Sequence, residues 1–465
     1  MLVRQDRVEA LLRQLRPVLQ NCMDASIRSS GDFGCVELAV HTAVSQSRRI
    51  LVTEMLGASV ASAARDFRCP ECSHWLSPRS YRDRKVVTTE GEGVYQSARF
   101  RCDLCRRDWY PLEEANGLVG GHFTTGAKGI IARTGAQVPY SEASAAMTER
   151  DIPVSAKEVD RIVVEVSAWR EEEENAAVKT ASSAREKGED PQVKDLHTWQ
   201  GWEFETPMCI SIDGAKIRSP ERGENGLEWF ECRGAVIAPV TDESKGRKMY
   251  CGLVDDPDAS FRLLYAHVQS DARRGRRAVF VADGATWIWH RATAYFPNAR
   301  QVLDIYHAGE HVGSAAAACW GERSRRAQRW KRQARSMLLT SRGPERIRRI
   351  LAHQLDHGNP LNREEVRKEL EYLQTHKNRM DYWQLRRSNL PIGSGVMESG
   401  IKQLSSKRLR QPGMMWSRKG ADRMLRLRAA LLSDSLKDTV ERRHKTLRQN
   451  IERFTPHRQK MAVQH

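Results

Sequence analysis

Ala278-Val279-Phe280-Val281-Ala282-Asp283-Gly284 is a run of five apolar residues closed by an Asp-Gly step. A run this short and apolar, stopped by turn chemistry, reads as a strand buried on both faces. Cys209-Ile210-Ser211-Ile212-Asp213-Gly214 repeats the pattern upstream. Working outward, Met208–Ile212, Trp229–Val240, Arg247–Leu253 and Val302–Tyr306 also read as strands. Phe261–His267 fits either a further strand or the start of a helix, and from Ala308 onward the pattern is overwhelmingly helical. Strands followed by helices, with one αβ crossover near 260–283, predict an α/β core carrying a large helical segment.

A carboxylate at the carboxyl end of a buried strand is costly unless it is paired, solvated in a cleft or bound to a cation. Ligand sites in α/β sheets open at those same strand ends. Either Asp-Gly step alone fits an ordinary turn; two in matching context on one sheet favour a site. The third acid is Glu398, in Leu390-Pro391-Ile392-Gly393-Ser394-Gly395-Val396-Met397-Glu398, where a Gly/Ser-rich loop opens a helix running through Ile401, Leu404 and Leu409. Taken alone, a glutamate there fits the helix dipole. Three carboxylates in one cleft suit Mg²⁺ or Mn²⁺. Two such ions about 3.5–4 Å apart can activate a nucleophile and stabilise the leaving oxygen of a phosphodiester. Lys402, Lys407, Arg408 and Arg410 follow directly, as DNA-phosphate contacts or as a solvated helix face.

Cys69-Pro70-Glu71-Cys72 and Cys102-Asp103-Leu104-Cys105 are two CxxC knuckles flanking β-branched pieces at Val86–Thr89 and Val94-Tyr95. Each knuckle offers two soft sulfurs from a tight turn; set against chance cysteines or a redox pair, the two together predict a tetrahedral structural Zn²⁺ site of the zinc-ribbon kind. The other six cysteines read as small buried hydrophobes. Ser155 and Glu158 have capping-box spacing at the head of the second of two helical runs between Ser141 and Arg170. Glu171–Glu174 and Lys179–Asp195 read as a solvated tether or frayed helix extension. Gly121–Lys128 fails the phosphate-loop motif because Ala127 separates Gly126 from Lys128.

The chain of 465 residues carries a net charge of +17. Residues 321–465 hold 35 Lys and Arg against 14 Asp and Glu, so the whole positive excess sits in the last third. That asymmetry points to a polyanion, with nucleic acid favoured over a membrane surface because no basic segment ends in a lipid-inserting apolar face. No transmembrane run, signal peptide or secreted disulfide framework is evident, which predicts a cytoplasmic protein.

Ser211–Gly214, Val281–Trp289, Val302–His311 and Ile392–Glu398 occur in this order, followed by Arg408-Leu409-Arg410-Gln411-Pro412-Gly413-Met414-Met415-Trp416-Ser417. Together they resemble the DDE transposases of bacterial insertion sequences, of the ISKra type within the Mutator-like group, over roughly residues 60–432. The resemblance implies an RNase H-like catalytic core interrupted by an all-helical insertion, with Asp213, Asp283 and Glu398 as the metal-binding catalytic triad. It also matches Asp304 and His307 to the group's Asp-x-x-His element, an auxiliary role; on its own a histidine there reads as a satisfied interior residue. Trp287 and Trp289 read as base-stacking or core-filling rings.

The expected organisation is an N-terminal helical region (1–60), a zinc-ribbon region (61–135), a helix-turn-helix-like unit (136–175) and a charged linker (176–200). The first part of the core (201–310), a helical insertion (311–388), a final acidic-residue helix (389–432) and a basic tail (433–465) follow. The expected activity is metal-dependent cleavage and strand transfer at insertion-sequence ends. Its partners would be double-stranded DNA (terminal inverted repeats and target) and at least one further copy of the chain. A zinc-ribbon DNA-binding protein with an inactive core and a stand-alone RNase H-like nuclease are the rivals.

Overall fold

The computed structural model of the chain describes residues 2–29, 31–62, 67–189, 191, 193, 196, 207–223, 226–240, 248–254, 256–269 and 278–452. Side chains at 2–4, 58–62, 222–223, 226–227, 396–399, 401 and 451–452 lie outside that description. The chain divides into two compact units, Met1–Trp169 with Leu436–His465, and Arg170–Ser435. Among the described residues no helix is long and apolar enough to cross a membrane.

In the first unit, α1 (Leu2–Arg28) and α2 (Phe33–Ser62) form a helical hairpin. The apolar pattern weakens at Pro17, yet α1 continues through it; packing on α2 offsets the one backbone donor that proline removes. The two-residue strands β1 (Phe67–Arg68) and β2 (Trp75–Leu76) pair antiparallel. A second antiparallel sheet holds β3 (Pro78–Thr88), β4 (Gly91–Arg101) and β5 (Asp108–Trp109), so the strands run well beyond the short β-branched pieces. Gly91, Gly93, Tyr95 and Ser97 of β4 are buried in strict alternation, and α2 lies so close that a Cβ at Gly93 would meet Val52. The short α3 (Pro111–Ala115), α4 (Thr125–Gly135) and α5 (Tyr140–Thr148) follow. Lys128 is buried and paired with Glu165 at 2.7 Å, a structural role. α6 (Ala156–Lys187) begins with the expected capping box: the Ser155 N–H donates to Glu158 at 2.9 Å and the Glu158 N–H to Ser155 Oγ at 3.3 Å.

Of the two readings of the charged stretch, a solvated tether or a frayed helix extension, the tether is corrected and the extension is regular helix as far as Lys187. α6 is one 32-residue helix, and from Arg170 it supplies part of the second unit's interior. Arg170 and Glu174 are almost wholly buried: Arg170 donates to Glu174 at 2.9 Å and Arg426 donates to its other oxygen at 2.5 Å. Asp422 engages Arg426 at 2.9 Å, and His267 Nε2 lies 3.4 Å from Glu174. Glu174 looks solvated in sequence because Arg426 and His267 come to it from distant segments, while Glu172 of the same run is exposed. The later part of the expected linker, including residues 197–200, lies outside the described residues.

The second unit is built on a five-stranded mixed sheet. Its elements in chain order are β6 (Met208–Gly223), β7 (Gly226–Pro239), β8 (Met249–Leu253), α7 (Pro257–Gln269), β9 (Ala278–Ala282), α8 (Thr286–Tyr295) and β10 (Arg300–Leu303). The strand order is β10-β9-β6-β7-β8, with β6–β7 and β7–β8 antiparallel and β9–β6 and β10–β9 parallel. Phe261–His267 resolves as helix, burying Phe261, Leu263, Leu264 and Val268. Val302–Tyr306 is corrected: the strand stops at Leu303, because Asp304 caps the next helix.

That helix is α9 (Ile305–Trp320), followed by α10 (Arg325–Leu338), α11 (Gly343–His357), α12 (Arg363–Thr375), a 3₁₀ turn at Lys377–Arg379 and α13 (Tyr382–Arg387). α14 (Gly395–Leu409) and α15 (Arg418–Leu432) complete the second unit, so the expected single final helix is two. The basic tail is corrected as well: α16 (Leu436–Glu452) is a helix of the first unit packed on α3 and α4, and residues 453–465 lie outside the described residues. Cys209, Cys232, Cys251 and Cys319 are buried as expected, but Cys35 is exposed and Cys22 half-buried, because their helices leave one flank open.

Candidate functional site

In the first unit the two knuckles meet. Cys69 and Cys105 bring their sulfurs to 3.9 Å, Cys72 and Cys102 to 3.5 Å, and all four lie within 4.8 Å of one another. A tetrahedron with Zn–S bonds of about 2.3 Å requires S···S separations near 3.8 Å, so the donor set fits Zn²⁺. The two turns match: the Cys69 N–H donates to the His74 carbonyl and the Cys102 N–H to the Arg107 carbonyl, each at 2.9 Å. Ser73 and Arg106, each four residues after the first cysteine of its pair, take the left-handed backbone (φ 58° and 55°) that closes the turn. Phe67, Leu76 and Phe100 pack beneath the sulfurs.

Burial pushes the Cys69 thiol up, but N–H donors from Cys72 and Glu71 outweigh it and bring the group to about 7. Hydrogen bonding to Cys72, then burial, holds Cys105 well above its usual range. Four crowded sulfurs cannot all ionise unaided, and a dication removes that conflict. We expect one Zn²⁺ per chain by elemental analysis. Cys72→Ser or Cys102→Ser should lose it and lower the melting temperature; full zinc content in both variants would refute the site.

In the second unit, β6 and β9 pair Met208 with Ala278, Cys209 with Val279 and Ile210 with Phe280. Three residues further along each chain stand Asp213 and Asp283, at the same level. β10 pairs Leu303 with Ala282, so the next residue, Asp304, is level with Asp283, and its N–H donates to the Ala282 carbonyl at 2.8 Å. Asp213 is not at a strand end as expected; β6 runs on past it against β7, with Asp213 opposite Gly234. Asp213 is exposed and Asp283 half-buried. Asp213 Oδ1 accepts the Gly214 N–H at 2.7 Å, and Asp283 Oδ1 accepts that of Ala285 at 2.9 Å.

Asp304 is buried and heavily engaged. Its carboxylate caps α9 by accepting from the N–H groups of Tyr306 (2.5 Å) and His307 (3.3 Å). It also accepts from the Ser394 N–H at 2.6 Å and from the Ser394 hydroxyl. One anion therefore sits at the N-termini of two helices, where both dipoles favour it. The Asp-x-x-His spacing is an N-cap with its N3 residue. The His307 ring turns outward to Glu310 at 3.1 Å.

Ser394 leads into α14, and Glu398 stands one turn in; the Glu398 side chain lies outside the described residues. Two residues later Gly400 packs so tightly on Val236 and Tyr250 that an added Cβ would lie 3.0 Å from each. Val236 is the register partner of Ser211, two residues before Asp213. Glu398 thus falls between one anchor at the end of β10 and another on β7.

Of the basic residues after Glu398, Lys402, Lys407 and Arg410 are exposed. Arg408 is corrected as a phosphate contact: it is buried, stacked over Trp416 at 5.0 Å, with a 3.7 Å contact to the Met414 sulfur. Trp289 is buried in the core, and Trp287 sets its edge on Phe261.

Sequence reasoning missed a cluster from α9 and α12 over the Asp283-Gly284 turn. Tyr372 stacks on His311 at 3.5 Å between ring centres, and His311 Nδ1 meets Glu369 at 2.6 Å. The Tyr372 hydroxyl is buried without a hydrogen-bond partner. Burial first, then the charges of Asp283, Glu369, Asp304 and Glu310, push its pKa well up, so it stays a neutral phenol. Burial, with the charges of Arg379 and His311, pushes His376 down to about 4, leaving that ring uncharged at pH 7. Gly284 admits this approach, since a Cβ there would collide with the Tyr372 hydroxyl. The one signal in sequence was the glycine itself. Gly284→Ala should cost about 1–3 kcal/mol through overpacking, and much less in a Tyr372→Ala background. An equal cost in both backgrounds, read by chemical denaturation, would show that the two positions do not touch.

Among the described residues, the four cysteines are the one group of three or more closely spaced metal-ligating side chains. A comparison of the chain with protein-family models finds no match, and a comparison with curated proteins finds none either.

Proposed function

We propose that the chain is a DNA strand-transfer enzyme of the DDE transposase kind, with an RNase H-like core in which Asp213, Asp283 and Glu398 hold two Mg²⁺ (or Mn²⁺) ions. The observation that carries this reading is the level placement of Asp213 and Asp283 on neighbouring parallel strands, beside a strand end tied to the helix that bears Glu398. The three-stranded antiparallel meander extended by two parallel strands, in the order β10-β9-β6-β7-β8, supports the reading of an RNase H-like core. The resemblance of the Asp213, Asp283 and Glu398 segments to ISKra-type transposases supports the same reading.

Carboxylate oxygens suit these hard cations. Bound there, the ions would polarise the attacking oxygen and stabilise the leaving oxygen of a phosphodiester. The chain's own part is positional. Asp213 and Asp283 project from strands fixed on both sides, and Asp304 holds the start of α14 against the sheet. Tyr372 packs on His311 and His376 and against Gly284 of the Asp283 turn. Lys402, Lys407 and Arg410 meet DNA phosphates beside the acids. Hydrolysis at an element end, then attack of the freed 3′-hydroxyl on target DNA, uses this one site twice. The cysteine knuckles with α5 and α6 recognise the terminal repeats. Pairing two ends takes at least two copies, and the exposed Leu12, Leu19 and Met23 of α1 and Leu38 and Met55 of α2 supply apolar surface for it.

A joining assay with labelled element ends tests the reading. Mg²⁺-dependent nicking followed by transfer to a new strand is expected. Cutting without joining would make the chain a nuclease, and DNA retention without cutting would make it a binding protein with an inactive core.

A further inference from the structure

α10 reads Arg325-Arg326-Ala327-Gln328-Arg329-Trp330-Lys331-Arg332-Gln333-Ala334-Arg335-Ser336-Met337-Leu338 and contains no acidic residue. Ala327, Ala334 and Leu338 are buried along one stripe, while Arg325, Arg326, Arg329, Lys331, Arg332 and Arg335 are all exposed. At 100° per residue Arg325, Arg329 and Arg332 fall opposite the buried stripe, Arg326 and Arg335 stand on its two flanks, and Lys331 lies beside it, against Gly313 of α9. Among the described residues, none of the six has an ion-pair partner within 4 Å; Arg326 lies over the Trp320 ring at 4.9 Å.

Local energetics oppose this arrangement. Arg325 and Arg326 stand in the first turn, where the helix dipole disfavours cations. The pairs Arg325/Arg329 and Lys331/Arg335 at i,i+4, and Arg326/Arg329, Arg329/Arg332 and Arg332/Arg335 at i,i+3, are all of like charge. Only the Ser324 cap, accepting the Ala327 N–H at 3.0 Å, and packing on α9 and α11 hold the helix against that repulsion. A segment that departs this far from its own local preference marks a functional surface.

We propose that α10 is a docking face for duplex DNA, separate from the basic residues that follow Glu398, and that it grips the phosphate backbone without reading sequence. This rests on the DNA-directed activity proposed above. Charge complementarity identifies the occupant. Arg325, Arg329 and Arg332 lie at i, i+4 and i+7 on one stripe about 10 Å long, a length over which a strand presents two successive phosphates. Bound polyanion would relieve both the dipole conflict and the like-charge repulsion, so binding and helix stability are coupled here in a way neutral surfaces lack.

The test is binding of the full-length chain to mixed-sequence duplex DNA in Mg²⁺-free buffer across a salt series, where chemistry does not enter. In an Arg325→Gln/Arg329→Gln/Arg332→Gln variant the slope of log affinity against log salt should fall by about two, since each of the two neutralised phosphates contributes about 0.9. Its melting temperature should hold or rise, because repulsion has been removed; loss of binding through misfolding would lower it. The matching Lys variant should keep the wild-type slope. An unchanged slope in the Gln variant overturns the proposal, as does a fall confined to vesicles of anionic lipid with duplex binding intact. A wild-type chain that binds no duplex at all would instead sink the strand-transfer reading.

Discussion

Asp283→Asn should leave DNA retention near wild type while cutting Mg²⁺-dependent cleavage and joining by about a thousandfold or more. Asparagine matches aspartate in shape and can still accept the Ala285 N–H that fixes the turn, so the fold has no reason to change. What it loses is the negative charge that a divalent cation requires. Metal stabilisation of a phosphodiester transition state amounts to several kcal/mol, and each 1.4 kcal/mol is tenfold in rate. Asp213→Asn should behave alike, since it removes the level partner on β6. Asp304→Asn should differ: its carboxylate serves Ser394 and two α9 amides, so its loss should lower the melting temperature together with activity. Cleavage at the wild-type rate by Asp283→Asn would end the proposed mechanism.

The second large effect concerns stability. Glu174→Gln should cost the unit spanning Arg170–Ser435 about 3–5 kcal/mol, because it takes from the buried Arg170 and Arg426 the carboxylate they share and leaves them only Glu173 at 3.6 Å and Asp422 at 2.9 Å. Burial alone would raise the Glu174 pKa, but Arg170, His267 and Arg426 outweigh it and hold the carboxyl far below its usual range. A group depressed on folding contributes stability that is present above its unfolded pKa of about 4.3 and is lost as pH falls through the folded value. His267, which burial pushes down from its ordinary value, acts in the same direction: protonation favours the unfolded chain as pH drops below about 6.5. The wild-type chain should therefore lose stability on acidification, and Glu174→Gln should lose much less of it below pH 5. Replacing Arg170, Glu174 and Arg426 together by Met, Leu and Met should recover most of the loss. A Glu174→Gln cost below about 1 kcal/mol, by urea denaturation, would contradict the buried cluster.

Ala278–Ala282 was legible residue for residue because its apolar run is short and ends in turn chemistry, whereas the same Asp-Gly step at 213–214 lies inside β6, which runs on against β7 to Gly223. The misreadings share a cause. Ile305 and Tyr306 have strand-like side chains, but a preceding aspartate that caps a helix overrides that preference. Arg170 and Glu174 look like solvated charges, and only a partner 252 residues along the chain makes them interior. Arg408 looks like its exposed neighbours until Trp416 covers it. Asp213 and Asp283 could be chosen from local context, whereas Tyr372 could not, since its place over Gly284 depends on how α12 packs. Periodicity reports which way a side chain faces along its own element, not which distant group meets it.

The Ile305 N–H donates to the Ile392 carbonyl at 3.0 Å, and Asp304 and Ser394, 90 residues apart, share a hydrogen bond. The long helical excursion therefore departs and comes home through a single doorway. For a segment whose ends already meet, doubling its length adds only about 0.6 kcal/mol of closure cost. Evolution could trim, enlarge or exchange everything beyond that doorway while the strand ends beside it kept their spacing, provided the tyrosine over Gly284 were retained or its glycine released.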